Sequence, residues 1–302
     1  MKTKVTETKF KSPLDLTCHL ISRAVCLGAV ILICSSALAE NLFVSGGDAS
    51  GGKIFEFKPN GVQSTFASGL RQPQGLAFDN AGNLFVADQG NNLIGGVIYK
   101  FKPNGARSIF ASGLTYPVGL AFNSAGNLFV ADKGSPNIYE FKPNGVRSTF
   151  ASVSIFCSPI GGLAFDSAGT LFATYYCGAF GADIYEFKPN GAVTGFAGLD
   201  YPVGLAFDSA GNLFVSDDDS ILEFQPNGVR STFASGLCAP IGLAFDSAGN
   251  LFVADYCGGP SGSIIYEFKP NGVRSIFASG LESFLFLALQ PTSSTPDTTS
   301  AP

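Results

Sequence analysis

Histidine, tryptophan and methionine are almost absent from this chain of 302 residues. It has one histidine, His19, one methionine, Met1, and no tryptophan. His19 lies in a segment that is interpreted below as a removable leader, so the remaining protein has no histidine. Imidazole is the commonest general base near neutral pH and a common metal ligand. Reactions that depend on it are therefore excluded, and the sequence shows no evident catalytic site.

Apolar runs long enough to span a membrane are also missing. Residues 1–39 combine five basic side chains, an apolar run over 24–34 and the sequence Ala37-Leu38-Ala39. This is typical of a secretory signal peptide cleaved after Ala39, and the run is shorter than the roughly 20 residues of a spanning helix. We predict a secreted or periplasmic protein without membrane contact after cleavage. The domains are the leader (1–39), a folded domain (40–290) and a disordered Ser/Thr/Pro-rich tail (291–302).

Positive charge is scarce. Lysine and arginine number 18 against 23 aspartates and glutamates, a formal net charge of −5. Nucleic acids and anionic membranes select basic surfaces, so both are disfavoured as partners. The classes that remain are a protein, a peptide or a glycan, and we expect a monomer.

One sequence unit of about 40 residues is repeated six times. The run x-Leu-Phe recurs every 38 to 44 residues or so, starting at Asn41, Asn83, Asn127, Thr170, Asn212 and Asn250. Each complete unit holds four short runs rich in Val, Ile, Phe and Tyr, separated by Gly, Asn, Asp and Pro, which indicates four strands joined by turns. A fixed period with four strands is typical of propeller blades. The predicted fold is all-β, a six-bladed β-propeller of four-stranded antiparallel blades.

We name the strands of each blade A to D, with A innermost. Repeat 1 lacks strand A and begins directly with a strand B at residues 41–45. After the last strand D, residues 287–289 occupy the place that 76–78 occupy in repeat 2. We predict that 287–289 pair with 41–45 and close the ring, three strands coming from one terminus and one from the other. Closure would hide the exposed strand edges of an open stack.

Four cysteines remain once the leader is removed: Cys157, Cys177, Cys238 and Cys257. Four cysteines allow three pairings. Cys238 precedes strand A of repeat 6 and Cys257 follows its strand B, so a hairpin register around residues 246–249 places them opposite each other. In repeat 4 the register is offset by one residue, which an extra glycine at Gly161 or Gly162 could absorb as a bulge. We predict disulfides Cys157–Cys177 and Cys238–Cys257 in an oxidising compartment, while a metal-binding or redox thiol pair is the alternative.

Repeats 2, 3, 5 and 6 share the pattern P-x-G-L-A-F-[DN]-[NS]-A-G-N-L-F-V-[AS]-D. This pattern resembles the NHL repeat, and the resemblance extends over residues 41–289. It implies the propeller fold and similarity to the gluconolactonase/regucalcin and virginiamycin B lyase groups. One architecture hosts many activities, so the implied functions are compared with this sequence residue by residue.

The resemblance to gluconolactonases implies a divalent metal over the central channel, held by carboxylate and amide side chains just before the strand A glycine. Here those positions hold one amide among apolar residues: Gln74, Val118, Ile160, Val203 and Ile241. Divalent cations such as calcium require oxygen ligands, which this set does not supply. The lyase groups use histidines, which the mature chain lacks.

Variation between repeats is concentrated in the B–C loops, which are expected on the same face as the D–A loops. Four aspartates end strand B: Asp88, Asp132, Asp217 and Asp255. They form either a cation-binding ring or caps that accept hydrogen bonds from the backbone of their own B–C loops. Asp217, Asp218 and Asp219 are the best calcium candidates, although they lack a full ligand set. Tyr175, Tyr176 and Tyr256 either form a contact surface or pack over the disulfides.

The sequence thus favours a secreted, non-enzymatic binding scaffold that uses its B–C/D–A face. The candidate ligand face comprises Gln74, Asp88, Asp132, Tyr175, Tyr176, Asp217, Asp255 and Tyr256. We predict no cofactor, and a bound calcium ion is the alternative. The alternative function is a metal-dependent lactonase- or esterase-like hydrolase.

Overall fold

The computed structural model describes residues 40–48, 51–90, 95–153, 157–178, 181–257, 262–281 and 286–291. The predicted leader and the tail beyond Pro291 lie outside the described residues. Within the described part of the chain, no helix has the length and apolar character needed to cross a membrane. The regular structure there is arranged in six four-stranded antiparallel sheets.

The first three blades follow the repeats in order. Blade 1 contains β1 (Leu42–Asp48), β2 (Gly51–Phe57) and β3 (Gln63–Leu70) as strands B to D. Blade 2 contains β4 (Pro73–Phe78), β5 (Leu84–Asp88), β6 (Gly96–Phe101) and β7 (Arg107–Leu114). Blade 3 contains β8 (Pro117–Phe122), β9 (Leu128–Asp132), β10 (Asn137–Phe141) and β11 (Arg147–Ser152).

The other three blades repeat this arrangement. Blade 4 contains β12 (Ser158–Phe165), β13 (Leu171–Tyr176), β14 (Ala182–Phe187) and β15 (Val193–Leu199). Blade 5 contains β16 (Pro202–Phe207), β17 (Leu213–Asp217), β18 (Ser220–Phe224) and β19 (Arg230–Ala234). Blade 6 contains β20 (Pro240–Phe245), β21 (Leu251–Tyr256), β22 (Ser263–Phe268) and β23 (Arg274–Leu281).

The carboxy-terminal strand β24 (Leu287–Leu289) completes blade 1 as its strand A. It pairs antiparallel with β1, and Leu42 lies opposite Leu289 while Val44 lies opposite Leu287. The A strands contact one another in the cyclic order β4, β8, β12, β16, β20, β24 and back to β4. The predicted six-bladed fold and its closure by one carboxy-terminal strand are therefore confirmed.

Glycines let the A strands approach one another around the central channel. A Cβ atom on Gly119 would lie 2.1 Å from the carbonyl oxygen of Gly161 in the next blade, and one on Gly204 would lie 2.1 Å from that of Ile241. Real Cβ atoms do not approach so closely. The glycine of the repeated P-x-G-L motif is therefore required by the contact between blades.

Phenylalanines fill the space between the blades. In blade 2, Phe85 of strand B contacts Phe110 of strand D and Phe122 of the next strand A, both edge to face with ring centroids 5.0 Å apart. The same arrangement is repeated around the ring. Such pairs contribute about 0.5–1.5 kcal/mol each beyond area burial. Between blades 6 and 1, Leu289 takes the place of the third ring and packs with the same cluster.

Both predicted disulfides are present, Cys157–Cys177 and Cys238–Cys257. The hairpin register behind the prediction was wrong by one residue. The turn at 246–249 is closed by the hydrogen bond from Gly249 N to Asp246 O, but Asp246 N donates to Asn250 O, so the strands pair one residue further on. A bulge in strand A of blade 6 compensates for that residue and brings the cysteines opposite each other.

Blade 4 carries a larger bulge than the other blades. Between Pro159 and Leu163 strand A has three residues, where strand B has only Thr174 between the paired Tyr175 and Ala173. The corresponding segments of blades 2, 3, 5 and 6 have two residues in strand A. The extra residue is a glycine, as predicted, and Gly161 has φ +144°.

Candidate functional site

The side chain of Phe286 lies across the central channel. Its backbone is fixed to blade 1, since Ser45 N donates to Phe286 O at 3.0 Å and Phe286 N donates to Ser45 Oγ at 3.1 Å. Its ring reaches blade 4, where a Cβ atom on Gly161 would lie 3.3 Å from Phe286 Cε1. We call the face of the ring that carries the B–C and D–A loops the upper face. Phe286 lines both the cavity on that side, above its ring, and the narrow glycine-lined passage below its ring. The ring therefore separates the two.

The cavity above Phe286 has a volume of about 270 Å³. Its apolar floor is formed by the side chains one residue after the strand A proline in four blades, together with Phe286. The aliphatic members are Val118, Ile160, Val203 and Ile241. Each blade presents the same backbone position to the channel axis, so the repeat itself brings these side chains together.

The rim of the cavity is polar and aromatic. It is formed by Gln74, Gln89, Lys133, Tyr201, Asp218 and Tyr256. Among the described residues, the side chains of Gln74, Gln89, Lys133 and Asp218 make no hydrogen bond or salt bridge. An apolar pocket with a few convergent polar groups is the usual form of a small-molecule site.

Asp218 is held at this rim by a tight turn. It is the first of two residues between β17 and β18, whose ends Asp217 and Ser220 are paired. Its φ of +51° is the one positive value among the described non-glycine residues. Leu237 N donates to Asp219 O at 3.0 Å and ties the turn to the neighbouring D–A loop. A strained, well-anchored residue at a cavity is a pointer to function.

The four aspartates that end strand B do not line this cavity. Asp88, Asp132 and Asp255 are each at most 2% exposed, and Asp217 is 9% exposed. Asp132 accepts hydrogen bonds from Thr115 N at 3.0 Å and Tyr116 N at 2.6 Å. Asp88 and Asp255 bind the corresponding backbone groups of their blades, and Asp217 accepts one bond from Tyr201 N.

These contacts correct two expectations. The aspartates do cap backbone N–H groups, but chiefly those of the D–A loop that precedes strand A rather than those of their own B–C loop. Asp88, Asp132 and Asp255 were also assigned to the ligand face, and that assignment is wrong because the D–A loop backbone covers them. Their spacing along the repeat reflects the need to fix the equivalent D–A loop in four of the blades.

The predicted tyrosines have different environments. Tyr175 is fully buried between blades 3 and 4, so its assignment to the ligand face is wrong. It replaces the aspartate of the other blades, and among the described side chains its hydroxyl alone is a buried polar group without a partner. Tyr176 and Tyr256 are exposed at the upper face, and Tyr256 lines the cavity as Gln74 does.

Several cavity residues were missed by the sequence reasoning. Gln89 and Lys133 directly follow the aspartate of strand B, and Tyr201 directly precedes the strand A proline. Their positions within the repeat place them at the ends of strands facing the channel, which is the signal that could have identified them.

The calcium candidates lie in separate environments. Asp217 is mostly buried, Asp218 lines the cavity, and Asp219 accepts a hydrogen bond from Ser220 Oγ at 2.7 Å. At the channel mouth, the positions that the resemblance assigned to metal ligands are aliphatic apart from Gln74. That donor set does not fit a hard divalent cation.

Cys238, Asp255 and Cys257 form a further cluster with metal-ligating atoms within 4.8 Å of one another. Both sulfur atoms belong to a disulfide, and Asp255 accepts hydrogen bonds from two backbone N–H groups. A disulfide sulfur is not a thiolate ligand. We therefore interpret the cluster as a structural contact in which the disulfide and the Asp255 carboxylate hold the D–A loop.

Residues 70–96 match the family model of the NHL repeat. They include strands A and B of blade 2 and continue to Gly96, the first residue of β6, which places the match on one of six similar units. The protein is a six-bladed β-propeller with an NHL repeat.

Solved structures share the fold of this propeller. A structure titled "putative gluconolactonase" aligns with a TM-score of 0.59 and 18% identity, covering 69% of this chain and 78% of that one. Virginiamycin B lyase from Staphylococcus aureus aligns with a TM-score of 0.53 and 15% identity, covering 68% and 69%. A streptogramin B lyase aligns with a TM-score of 0.54 and 16% identity, covering 78% and 72%. No curated protein matches the sequence.

Proposed function

We propose that this propeller is an exported, non-enzymatic binding protein that takes a small, mainly apolar ligand into the cavity above Phe286. The observation that carries the proposal is the apolar floor below a polar rim, on which the side chains of Gln74, Gln89, Lys133 and Asp218 have no hydrogen-bond or salt-bridge partner among the described residues. A ligand that covers the floor removes apolar surface from water, which is favourable by about 25 cal/mol per Å². The rim groups then fix its orientation.

Export is supported by the two disulfides. Such bonds form and persist in oxidising compartments and are rare in the cytosol. Each joins a D–A loop to a B–C loop on the upper face, close to the proposed site. Their position favours a stabilising role for loops that meet a ligand outside the cell or in the periplasm.

A fragment screen tests the proposal. The purified protein is mixed with a library of small aromatic and aliphatic molecules, and binding is detected by saturation-transfer NMR. Val203→Phe fills the cavity and should abolish binding of the molecules that occupy it. Val193→Phe introduces the same ring at an exposed position of the outermost strand β15, and it should leave their binding unchanged.

Two results would overturn the proposal. One is a screen in which no molecule binds to the protein. The other is binding that Val203→Phe and Val193→Phe leave equally intact, since the ligand would then lie elsewhere.

A metal-dependent lactonase- or esterase-like hydrolase is the second candidate, because the "putative gluconolactonase" shares the fold. Metal analysis of the purified protein and assays with a panel of lactones and esters separate the candidates. Stoichiometric divalent metal together with turnover would replace the first proposal by the second. Metal-free protein without turnover would reject the hydrolase.

A further inference from the structure

We infer that the ligand of the cavity above Phe286 is a short zwitterionic peptide, about a dipeptide in length, with an apolar side chain. Lys133 would bind its terminal carboxylate and Asp218 its terminal ammonium group. This inference rests on the proposed function and adds the chemical class of the ligand.

Two charges of opposite sign line the same cavity. Lys133 comes from the B–C loop of blade 3 and Asp218 from that of blade 5, on either side of blade 4. Neither side chain has a hydrogen-bond or salt-bridge partner among the described residues. A ligand with one charge would satisfy only one of them, whereas a zwitterion with separated charges satisfies both.

The backbones that carry these charges are fixed before any ligand arrives. Lys133 N donates to Tyr116 O at 2.8 Å, and Asp132 beside it holds the same D–A loop through its carboxylate. Asp218 is constrained by its two-residue turn. With the backbone fixed, the freedom lost on binding is mainly that of the two exposed side chains, and the smaller this loss is, the more of the interaction energy appears as affinity.

The size of the cavity selects the length of the ligand. A cavity of 270 Å³ is about 8 Å across if it is round, and an extended chain spans at most about 3.3–3.6 Å per residue. A dipeptide therefore extends across the cavity, whereas a single amino acid carries both charged groups on the same Cα atom and reaches one side only.

The remaining lining matches the middle of such a ligand. Gln74 and Gln89 offer amide donors and acceptors that have no partners within the described part of the chain, and these are suited to a peptide group. Val118, Ile160 and Phe286 offer an apolar floor for a side chain. A neutral glycan would leave both rim charges unpaired and would place hydroxyl groups against this floor.

Isothermal titration calorimetry with leucyl-leucine as the probe tests the inference. N-acetyl-leucyl-leucine lacks the ammonium group, leucyl-leucinamide lacks the carboxylate, and leucine lacks the length. We expect leucyl-leucine to bind at least about tenfold more tightly than each of the three, since one charge-assisted hydrogen bond is worth that factor.

Charge-removing variants assign each terminus to its residue. Asp218→Asn keeps a residue type that tolerates positive φ. It should lower the affinity for leucyl-leucine about tenfold and leave the affinity for N-acetyl-leucyl-leucine unchanged. Lys133→Gln should lower the affinity for leucyl-leucine but not the affinity for leucyl-leucinamide. Asp219→Asn and Lys142→Gln remove equal charges outside the cavity lining and should change neither affinity.

The outcomes separate this inference from the proposed function. Equal binding of the free and blocked peptides, or unchanged affinity in both Asp218→Asn and Lys133→Gln, overturns the inference alone. Fragment binding that Val203→Phe abolishes, together with no binding of leucyl-leucine, also overturns the inference and leaves the proposed function standing. Absence of any ligand from the cavity overturns both.

Discussion

Phe286 and Gly161 meet across the central channel, although they belong to blades 1 and 4 on opposite sides of the ring. A Cβ atom on Gly161 would lie 3.3 Å from Cε1 and 3.4 Å from Cζ of Phe286. The bulge of blade 4 and the closing strand of blade 1 therefore form the base of the cavity together.

Gly161→Ala should lower the free energy of unfolding by about 1–3 kcal/mol, because alanine is strained at φ +144° and its methyl group crowds the Phe286 ring. Urea denaturation measures the change. In a double-mutant cycle, Phe286→Ala should reduce the cost of Gly161→Ala by about 0.5 kcal/mol or more, as residues in contact are coupled. Strictly additive effects would contradict the contact.

Gly119→Ala should destabilise the protein by about 2 kcal/mol or more, because the added carbon would lie 2.1 Å from the carbonyl oxygen of Gly161. Gly195→Ala is the matched control, since a Cβ there meets nothing within 4 Å. Its effect should stay within about 0.5 kcal/mol. Thermal unfolding followed by circular dichroism compares the two, and similar melting temperatures would refute the close packing of the A strands.

Asp132→Ala should cost about 2–3 kcal/mol, since it leaves two backbone donors, Thr115 N and Tyr116 N, without their carboxylate. Asp217→Ala should cost clearly less, because Asp217 accepts one bond, from Tyr201 N. Denaturant titration of both variants checks the order. The reverse order would show that the loop contacts do not set the stability of these positions.

The two disulfides should differ in their effect on stability. They close loops of nearly equal length, with sequence separations of 20 and 19, so their contributions through the unfolded chain are about equal, near 3 kcal/mol. In blade 6, Asp255 also holds the D–A loop through Cys238 N, whereas blade 4 has Tyr175 in that position. Replacing Cys157 and Cys177 by serine should therefore destabilise the protein more than replacing Cys238 and Cys257.

Removing the Asp255 carboxylate tests whether it explains the difference between the two disulfides. In an Asp255→Ala background, loss of the Cys238–Cys257 bond should cost more than it does in the parent protein. An unchanged cost would mean that the carboxylate and the disulfide do not share the task of holding the loop.

Tyr175→Phe should leave stability near neutral pH unchanged or raise it by about 1 kcal/mol, since the removed hydroxyl is buried without a partner. Burial, and secondarily Tyr185, raises the pKa of Tyr175 above its ordinary 10.0. The neutral phenol thus supports the fold fully below about pH 10, and this contribution is lost as the pH rises further and the unfolded chain ionises. Between pH 9 and pH 11 the parent should lose about 1.4 kcal/mol relative to Tyr175→Phe, and parallel urea titrations measure this difference.

The fold could be predicted because its determinants are local and repeated. The sequence x-Leu-Phe, the turn at Asp246 and the apolar strands recur in each unit, so each copy supports the same interpretation of strand and turn. The missing strand A of repeat 1 and the surplus strand at Leu287–Leu289 then determine closure. The disulfide pairs were predicted from the same register, although the strands next to the turn pair one residue further on and a bulge compensates for the difference.

The candidate site could be predicted only in part. Gln74 and Tyr256 line the cavity, whereas Asp132 and Tyr175 are buried although they hold equivalent positions near the end of strand B. Strand alternation predicts on which face of the sheet a side chain lies. Whether a side chain near the end of strand B is buried depends instead on whether a D–A loop covers it. That loop lies in another part of the repeat.

The sequence by itself determined the number of blades, their strands and the strand that closes the ring, because pairing within a blade joins neighbouring segments. Only the tertiary structure decided that Phe286 closes the channel against Gly161 and that Lys133 and Asp218 line one cavity. Such groups are far apart in the chain and belong to different copies of the repeat. Their proximity arises when the ring closes, since each blade then directs the same backbone positions toward a common axis.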